Sequence, residues 1–297
     1  MTHILKNKNL TIAVESLGAE LASIVCNRTG REYLWQADPA FWKRHSPILF
    51  PIVGSLWNGE YHYKHKAYPM SQHGFARDND FELMYRSEDE LRYRFADNEA
   101  TRRIYPFRFG LQVGYRLVDN KVQVIWQVTN KGDEDMYFQI GAHPAFFYPG
   151  FNTEDDSRGY FAFDKKEDIN YILIGEKGCA DTDTKYPLEL NSEGLMPIDV
   201  HTFDRDALII QDDQIHRVSL LDIQKRPYVT LEFDAPLVGL WSPPRKHDCP
   251  FICIEPWYGR CDRVGYTGDI SERDYMNRLS AREIFNASYT IIIEMNK

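Results

Sequence analysis

The chain has 297 residues, 43% hydrophobic and 27% charged, with 35 Lys and Arg against 44 Asp and Glu for a formal net charge of −9. This composition fits a soluble globular protein with enough chain for one large core or two ordinary ones. The acidic balance argues against a nucleic-acid phosphate backbone or an anionic membrane surface as the main partner, and no apolar run approaches the length of a membrane span.

Taken in order, the chain reads as strands almost throughout. Residues 1–20 carry charge and lack an apolar leader-like run, so no secretory signal is expected. Leu10, Ile12 and Val14 alternate with polar residues, and residues 21–24 read as a second strand before a turn at 27–30. Residues 38–42 could form one helical turn. Asn58-Gly59 is a hairpin candidate. Val122, Val124, Trp126 and Val128 alternate with Gln123, Ile125 and Gln127, between turns at Asp119-Asn120 and 131–133. Residues 136–140, 228–233 and 289–295 are further strands, while 152–158 and 181–185 read as exposed loops. Residues 271–279 predict a short helix with Ser271 as N-cap and acids in its first turn. Strand runs without helical crossovers predict an all-β, antiparallel sandwich or barrel. With no linker-like stretch or internal repeat, residues 1–297 are expected to form a single domain.

Five places could carry chemistry. In Ser71-Gln72-His73-Gly74-Phe75-Ala76-Arg77, an extended backbone would put His73 and Arg77 on one face, a proton-exchanging imidazole beside a fixed guanidinium. The plain alternative is a surface histidine with an unrelated arginine. His143 stands at a strand end, and the following Pro144 biases it to extended backbone; it suits either an accessible acid–base group or a buried histidine bonded to a carbonyl. Glu255 closes the apolar run Phe251-Ile252-Cys253-Ile254 ahead of Pro256-Trp257. Partial burial there would raise its pKa and suit a general acid or base; otherwise Arg260 or Arg263 would bridge to it. Arg44, in a basic cluster with Lys43 before an apolar strand, could fork onto hydroxyls or a phosphate, or simply be solvated. Asp206, just before another apolar strand, could cap a turn or accept ligand hydroxyls, with Asp204 close by.

Other chemistries lack their sequence patterns. No Gly-x-Gly-x-x-Gly, phosphate-binding loop or Gly-x-Ser-x-Gly elbow occurs. The five cysteines (26, 179, 249, 253 and 261) include no Cys-x-x-Cys, and His247 alone does not complete a zinc set with the last three. Free thiols in a reducing cytoplasm and no structural metal are expected.

Together, residues 44–54, Gln72-His73-Gly74-Phe75-Ala76-Arg77, Gly141-Ala142-His143-Pro144-Ala145-Phe146 and Ile254-Glu255-Pro256-Trp257 resemble the aldose 1-epimerase (galactose mutarotase) family, within it the LacX-like branch. The resemblance spans nearly the whole chain and preserves the family's order of motifs. It implies a β-supersandwich and a cofactor-free mutarotase of cytoplasmic carbohydrate metabolism, monomeric or homodimeric. It also implies Glu255 as general base, His143 as general acid and His73 as a second histidine holding or protonating the sugar. Arg44, Arg77 and Asp206 would contact the sugar. Pro256-Trp257-Tyr258-Gly259 departs from well-studied galactose mutarotases, which leaves the sugar open. A hexose 6-phosphate substrate, held by Arg44, Arg77, Lys43 or Arg245, and a non-catalytic sugar-binding protein on the same fold stand as alternatives.

Overall fold

The structure, a computed structural model, describes residues 1–295. Two large antiparallel sheets dominate it. The nine-stranded sheet runs, edge to edge, Leu195–Asp199, Ser157–Phe163, Arg217–Leu221, Pro227–Phe233, Ile284–Ile293, Lys121–Asn130, Phe109–Val118, Glu90–Ala96 and Glu82–Arg86. The eight-stranded sheet runs Ala180–Pro187, Asn170–Ile174, Leu208–Ile210, Leu237–Trp241, Phe251–Tyr258, Ile140–Ala142 and Ile48–Leu49, with Ala145–Phe147 pairing separately onto Phe251–Tyr258. A three-stranded sheet, Thr2–Lys6, Leu10–Glu15 and Leu21–Cys26, opens the chain.

The side-chain period of two decides what each strand gives to the core. Val122, Val124, Trp126 and Val128 are buried between the sheets, and their neighbours Gln123, Ile125 and Gln127 are less so. The eight-stranded sheet is covered on both faces. Val238, Leu240, Ile252 and Ile254 enter the core between the sheets, whereas Leu237, Trp257 and Cys253 pack in smaller clusters on the other face. Glu255 has the parity of Cys253 and Trp257. It therefore projects onto that second face, away from the main core.

Several local expectations change. The hairpin turn is not at Asn58-Gly59, which sits in a short 3-10 turn. Instead Lys64 and His65, both with positive φ, connect Glu60–Tyr63 to Lys66–Pro69. Residues 38–42 do make one turn, with the Trp42 and Phe41 amides donating to the Asp38 carbonyl. Residues 271–279 are not a helix: Ile270–Glu272 is one 3-10 turn capped by Asp269, and Asn277–Leu279 pairs as a strand with Met136–Phe138. Tertiary pairing overrides the helical pattern there. Residues 181–185 belong to the exposed edge strand Ala180–Pro187, and only the first part of 152–158 is loop. The α-helix Glu99–Ile104, with a capping box between Asn98 and Thr101, was not anticipated.

Candidate active site

On the second face of the eight-stranded sheet a cavity of about 220 Å³ opens, lined by His73, Arg77, His143, Asp206, Glu255 and Gln72 together with Trp42, Trp241 and Trp257. Residues far apart in sequence meet here through the register. Glu255 lies opposite Gly239 on one neighbouring strand, and Trp257 lies opposite Gly141 on the other. His143 follows the Ile140–Ala142 strand directly. Glu255 is in mid-strand rather than at a strand end, and is 1% exposed.

The segment 71–77 is not extended. Gly74 adopts φ +70°, and a Cβ there would fall 2.2 Å from the Phe50 carbonyl oxygen. Only glycine allows that approach. The chain then turns into the 3-10 turn Ala76–Asp78. His73, itself at φ 66°, and Arg77 reach the same cavity through this turn rather than through strand alternation.

The two histidines are held tightly. The Trp42 ring stacks on His143 at 4.7 Å between centroids and 29°, and Trp241 meets it edge-on at 5.4 Å. His143 Nε2 lies 3.3 Å from Glu255 Oε2, facing it without completing a hydrogen bond, and that carboxylate oxygen has no other partner among the described residues. His73 stands 5.5 Å from His143, ring edge to face. Its Nδ1 accepts the Gly54 amide hydrogen at 3.0 Å. An accepting Nδ1 carries no proton, so His73 is neutral with its hydrogen on Nε2.

Burial dominates the electrostatics. It pushes Glu255 well above the usual carboxylate range, and the nearby Asp206 charge pushes the same way, while the Trp257 side chain opposes them. Burial and then Arg77 hold His143 far below an ordinary histidine. Burial, His143 and Arg77 do the same to His73. Arg77 is lowered to about 10 by its own burial and the Arg44 charge. The site thus favours a neutral imidazole facing a protonated carboxyl: one proton, two groups able to hold it.

The remaining expected residues divide. Asp206 lines the cavity and anchors its own turn, accepting the Ala207 amide hydrogen at 2.7 Å. Asp204 points elsewhere, to His201 and His247. Arg44 does not line the cavity. It bonds Asp78 at 2.7 Å and reaches the Arg77 carbonyl at 3.4 Å, so it braces the segment that carries Arg77. Arg260 and Arg263 pair with Asp274, not with Glu255. Sequence reasoning missed Trp241. Its parity with Leu237 and Gly239 was the available signal, but it points to the site only once Gly239 is seen to lie opposite Glu255.

Residues 1–244 match the family profile described as aldose 1-epimerase. The protein LacX of Lactococcus lactis subsp. lactis is 31% identical over 301 aligned positions, covering 99% of each chain. Among solved structures, a galactose mutarotase related enzyme from Lactobacillus acidophilus superposes with a TM-score of 0.91 at 35% identity, over 99% of this chain and 97% of that one. A galactose mutarotase-like protein from Lactobacillus casei ATCC 334 gives 0.92 at 29% identity, over 99% and 100%.

Proposed function

The chain belongs to the aldose 1-epimerase family, and on that premise we propose that it interconverts the α and β anomers of a free hexose by acid–base ring opening and closure. The observation that carries this reading is the Glu255–His143 pair, a buried carboxyl and imidazole 3.3 Å apart on the wall of a cavity with tryptophan walls. The anomeric hydroxyl and the ring oxygen share one carbon. A base for the first and an acid for the second must therefore face each other at short range and hold one proton between them.

In this reading the bound sugar draws the proton from Glu255 to His143 Nε2. The Glu255 carboxylate then takes the proton of the anomeric hydroxyl, and His143 gives its proton to the ring oxygen as the C1–O5 bond breaks. Rotation about C1–C2 in the open aldehyde presents the other carbonyl face. The C5 hydroxyl closes on it, returning its proton to His143 while Glu255 protonates the new anomeric oxygen. His73, a fixed Nε2–H donor, holds a sugar oxygen. Asp206 accepts from ring hydroxyls and Arg77 donates to them. Each proton transfer contributes roughly 10²–10⁴-fold; alignment against the tryptophans supplies the rest.

A free sugar suits the site better than a phosphate. Arg77 is the one cation among the described residues that line the cavity, and it shares it with Asp206 and Glu255. Arg44 is committed to Asp78, Arg245 lines a different cavity, and Lys43 is exposed. Five buried, unbridged cysteines support a reducing cytoplasm as its location. Anomer exchange measured by NMR on equilibrated galactose, glucose and glucose 6-phosphate tests the reading. We expect exchange of at least one free hexose, insensitive to added inorganic phosphate. Exchange of the phosphate ester alone, inhibited by phosphate, would replace the substrate; line broadening of a sugar without exchange would make the protein a binder.

A further inference from the structure

Two loops that the sequence separates by 43 residues meet at the rim of the eight-stranded sheet. One turns after Leu195–Asp199 and carries His201 and Asp204. The other links Leu237–Trp241 to Phe251–Tyr258 and carries His247. Asp204 takes both histidines: Oδ2 lies 2.8 Å from His201 Nδ1, and Oδ1 lies 3.1 Å from His247 Nε2. The two rings stand 4.8 Å apart, nearly perpendicular. One donor atom from each residue thus falls within 4.8 Å of the other two.

We propose that His201, Asp204 and His247 form a binding site for a divalent transition-metal ion of the Zn²⁺, Co²⁺ or Ni²⁺ class. Two imidazole nitrogens and a carboxylate oxygen are the donor set such borderline ions prefer, and three protein ligands leave the remaining positions to water. Bonds of about 2.0–2.1 Å in a tetrahedral site place donors about 3.3 Å apart. His201 Nδ1 and His247 Nε2 lie 2.8 and 3.1 Å from opposite oxygens of Asp204, near that spacing, so a turn of the carboxylate brings one oxygen to both. The histidine pair must close by rotating exposed side chains.

The surroundings favour a cation. Asp199 and Asp156 add negative charge around His201. Three of the nearby cations are turned to other duties: Arg158 donates to the His247 and Asn152 carbonyls, Lys246 to the Ala40 carbonyl and Arg205 to the Tyr186 hydroxyl, while Arg245 lines the same cavity as His247. Backbone is also fixed on both sides. The His201 amide donates to Asp199 Oδ1, and the His247 carbonyl is held by Arg158 at 2.7 Å. The site is separate from the sugar cavity, yet an ion there would join the loop carrying Asp206 to the loop that follows Trp241. It would therefore stiffen two parts of the cavity rim at once.

Titration of the tag-free full chain with Co²⁺, followed by its ligand-field absorption and by calorimetry with Zn²⁺, tests the proposal. One saturable ion per chain is expected, with a raised thermal midpoint. His201→Ala and His247→Ala are expected to weaken binding by more than about tenfold, since loss of even an outer-shell partner costs that much. Both residues are exposed, so these variants keep the fold, which circular dichroism checks. No saturable binding would overturn the proposal. So would binding unchanged in both histidine variants but lost in Cys253→Ser, because the ion would then sit at the buried His143, Cys253 and Glu255 group instead.

Discussion

Replacing Gly239 by alanine should disable the site from beneath. Gly239 lies opposite Glu255, and the six-membered ring of Trp257 crosses over it. A Cβ at 239 would fall 2.5 Å from Trp257 Cη2 and 2.6 Å from Cζ2. Carbon atoms need about 3.5–4.0 Å, so the indole must retreat by about 1 Å. It has little room, because Gly141 lies against its other edge, where a Cβ would fall 2.6 Å from Cδ1. Its Nε1 also donates to the Ala142 carbonyl at 3.2 Å. Overpacking of this kind costs about 1–3 kcal/mol of stability. A shift of about 1 Å beside Glu255 should cost on the order of 10²-fold in turnover. Urea denaturation and anomer exchange on the same sample read both effects. Trp257→Phe in the Gly239→Ala background removes the clashing ring and should recover most of the lost stability. Wild-type stability and exchange in the single variant would refute the packing argument.

Two further outcomes concern the fold. Arg273 and Asp262, 5% exposed each, pair at 2.5 Å, and Asp262 also accepts the Trp57 amide hydrogen. Arg273→Ala leaves that carboxylate buried and unpaired, so urea unfolding should report a loss of about 3–5 kcal/mol. Arg103→Ala, which breaks the exposed pair with Glu99, should cost about 0.5 kcal/mol or less. The buried titrating groups also shape stability against pH. His73 and His143 are lowered, so below pH 6.5 the unfolded chain binds protons that the fold refuses, and acid destabilises. Glu255 is raised, so above pH 4.5 the fold keeps a proton that the unfolded chain releases, and stability falls as pH rises. The histidine gain is complete once pH passes 6.5, whereas the Glu255 loss begins above 4.5 and runs up to its raised folded value, so the two oppose each other from 4.5 upward. Glu255→Gln removes the opposing loss, so in urea titrations from pH 5 to 8 the variant's stability should rise more steeply with pH than the wild type's.

Much of the fold was legible because a half-buried strand writes its period into the sequence, as residues 122–128 do. The apolar run before Glu255 was equally plain, since a strand covered on both faces shows no alternation. The turn at Gly74 was not, because the constraint is the Phe50 carbonyl, 24 residues away by numbering and visible only in the folded chain. The helical reading of 271–279 failed for a related reason. Arg273 is drawn into the interior by Asp262, and Asn277–Leu279 finds a strand partner, neither of which local pattern reveals. His73, His143, Glu255, Arg77 and Asp206 could be chosen by residue type and motif, and they do line one cavity. Arg44 could not be separated from them, since a bracing arginine and a contacting one look alike in sequence. Asp204 acquires its two histidines only where two loops meet.

In the proposed reaction Glu255 and His143 together move the protons of ring opening. Anomer exchange of galactose and glucose by two-dimensional NMR, with wild type and Glu255→Gln, tests it most directly. The glutamine keeps the shape of the buried side chain and removes its ability to hold or release a proton. Exchange by the wild type is expected, with at least about a 10²-fold loss in a variant whose fold and sugar binding persist. Exchange at the wild-type rate in Glu255→Gln would contradict it.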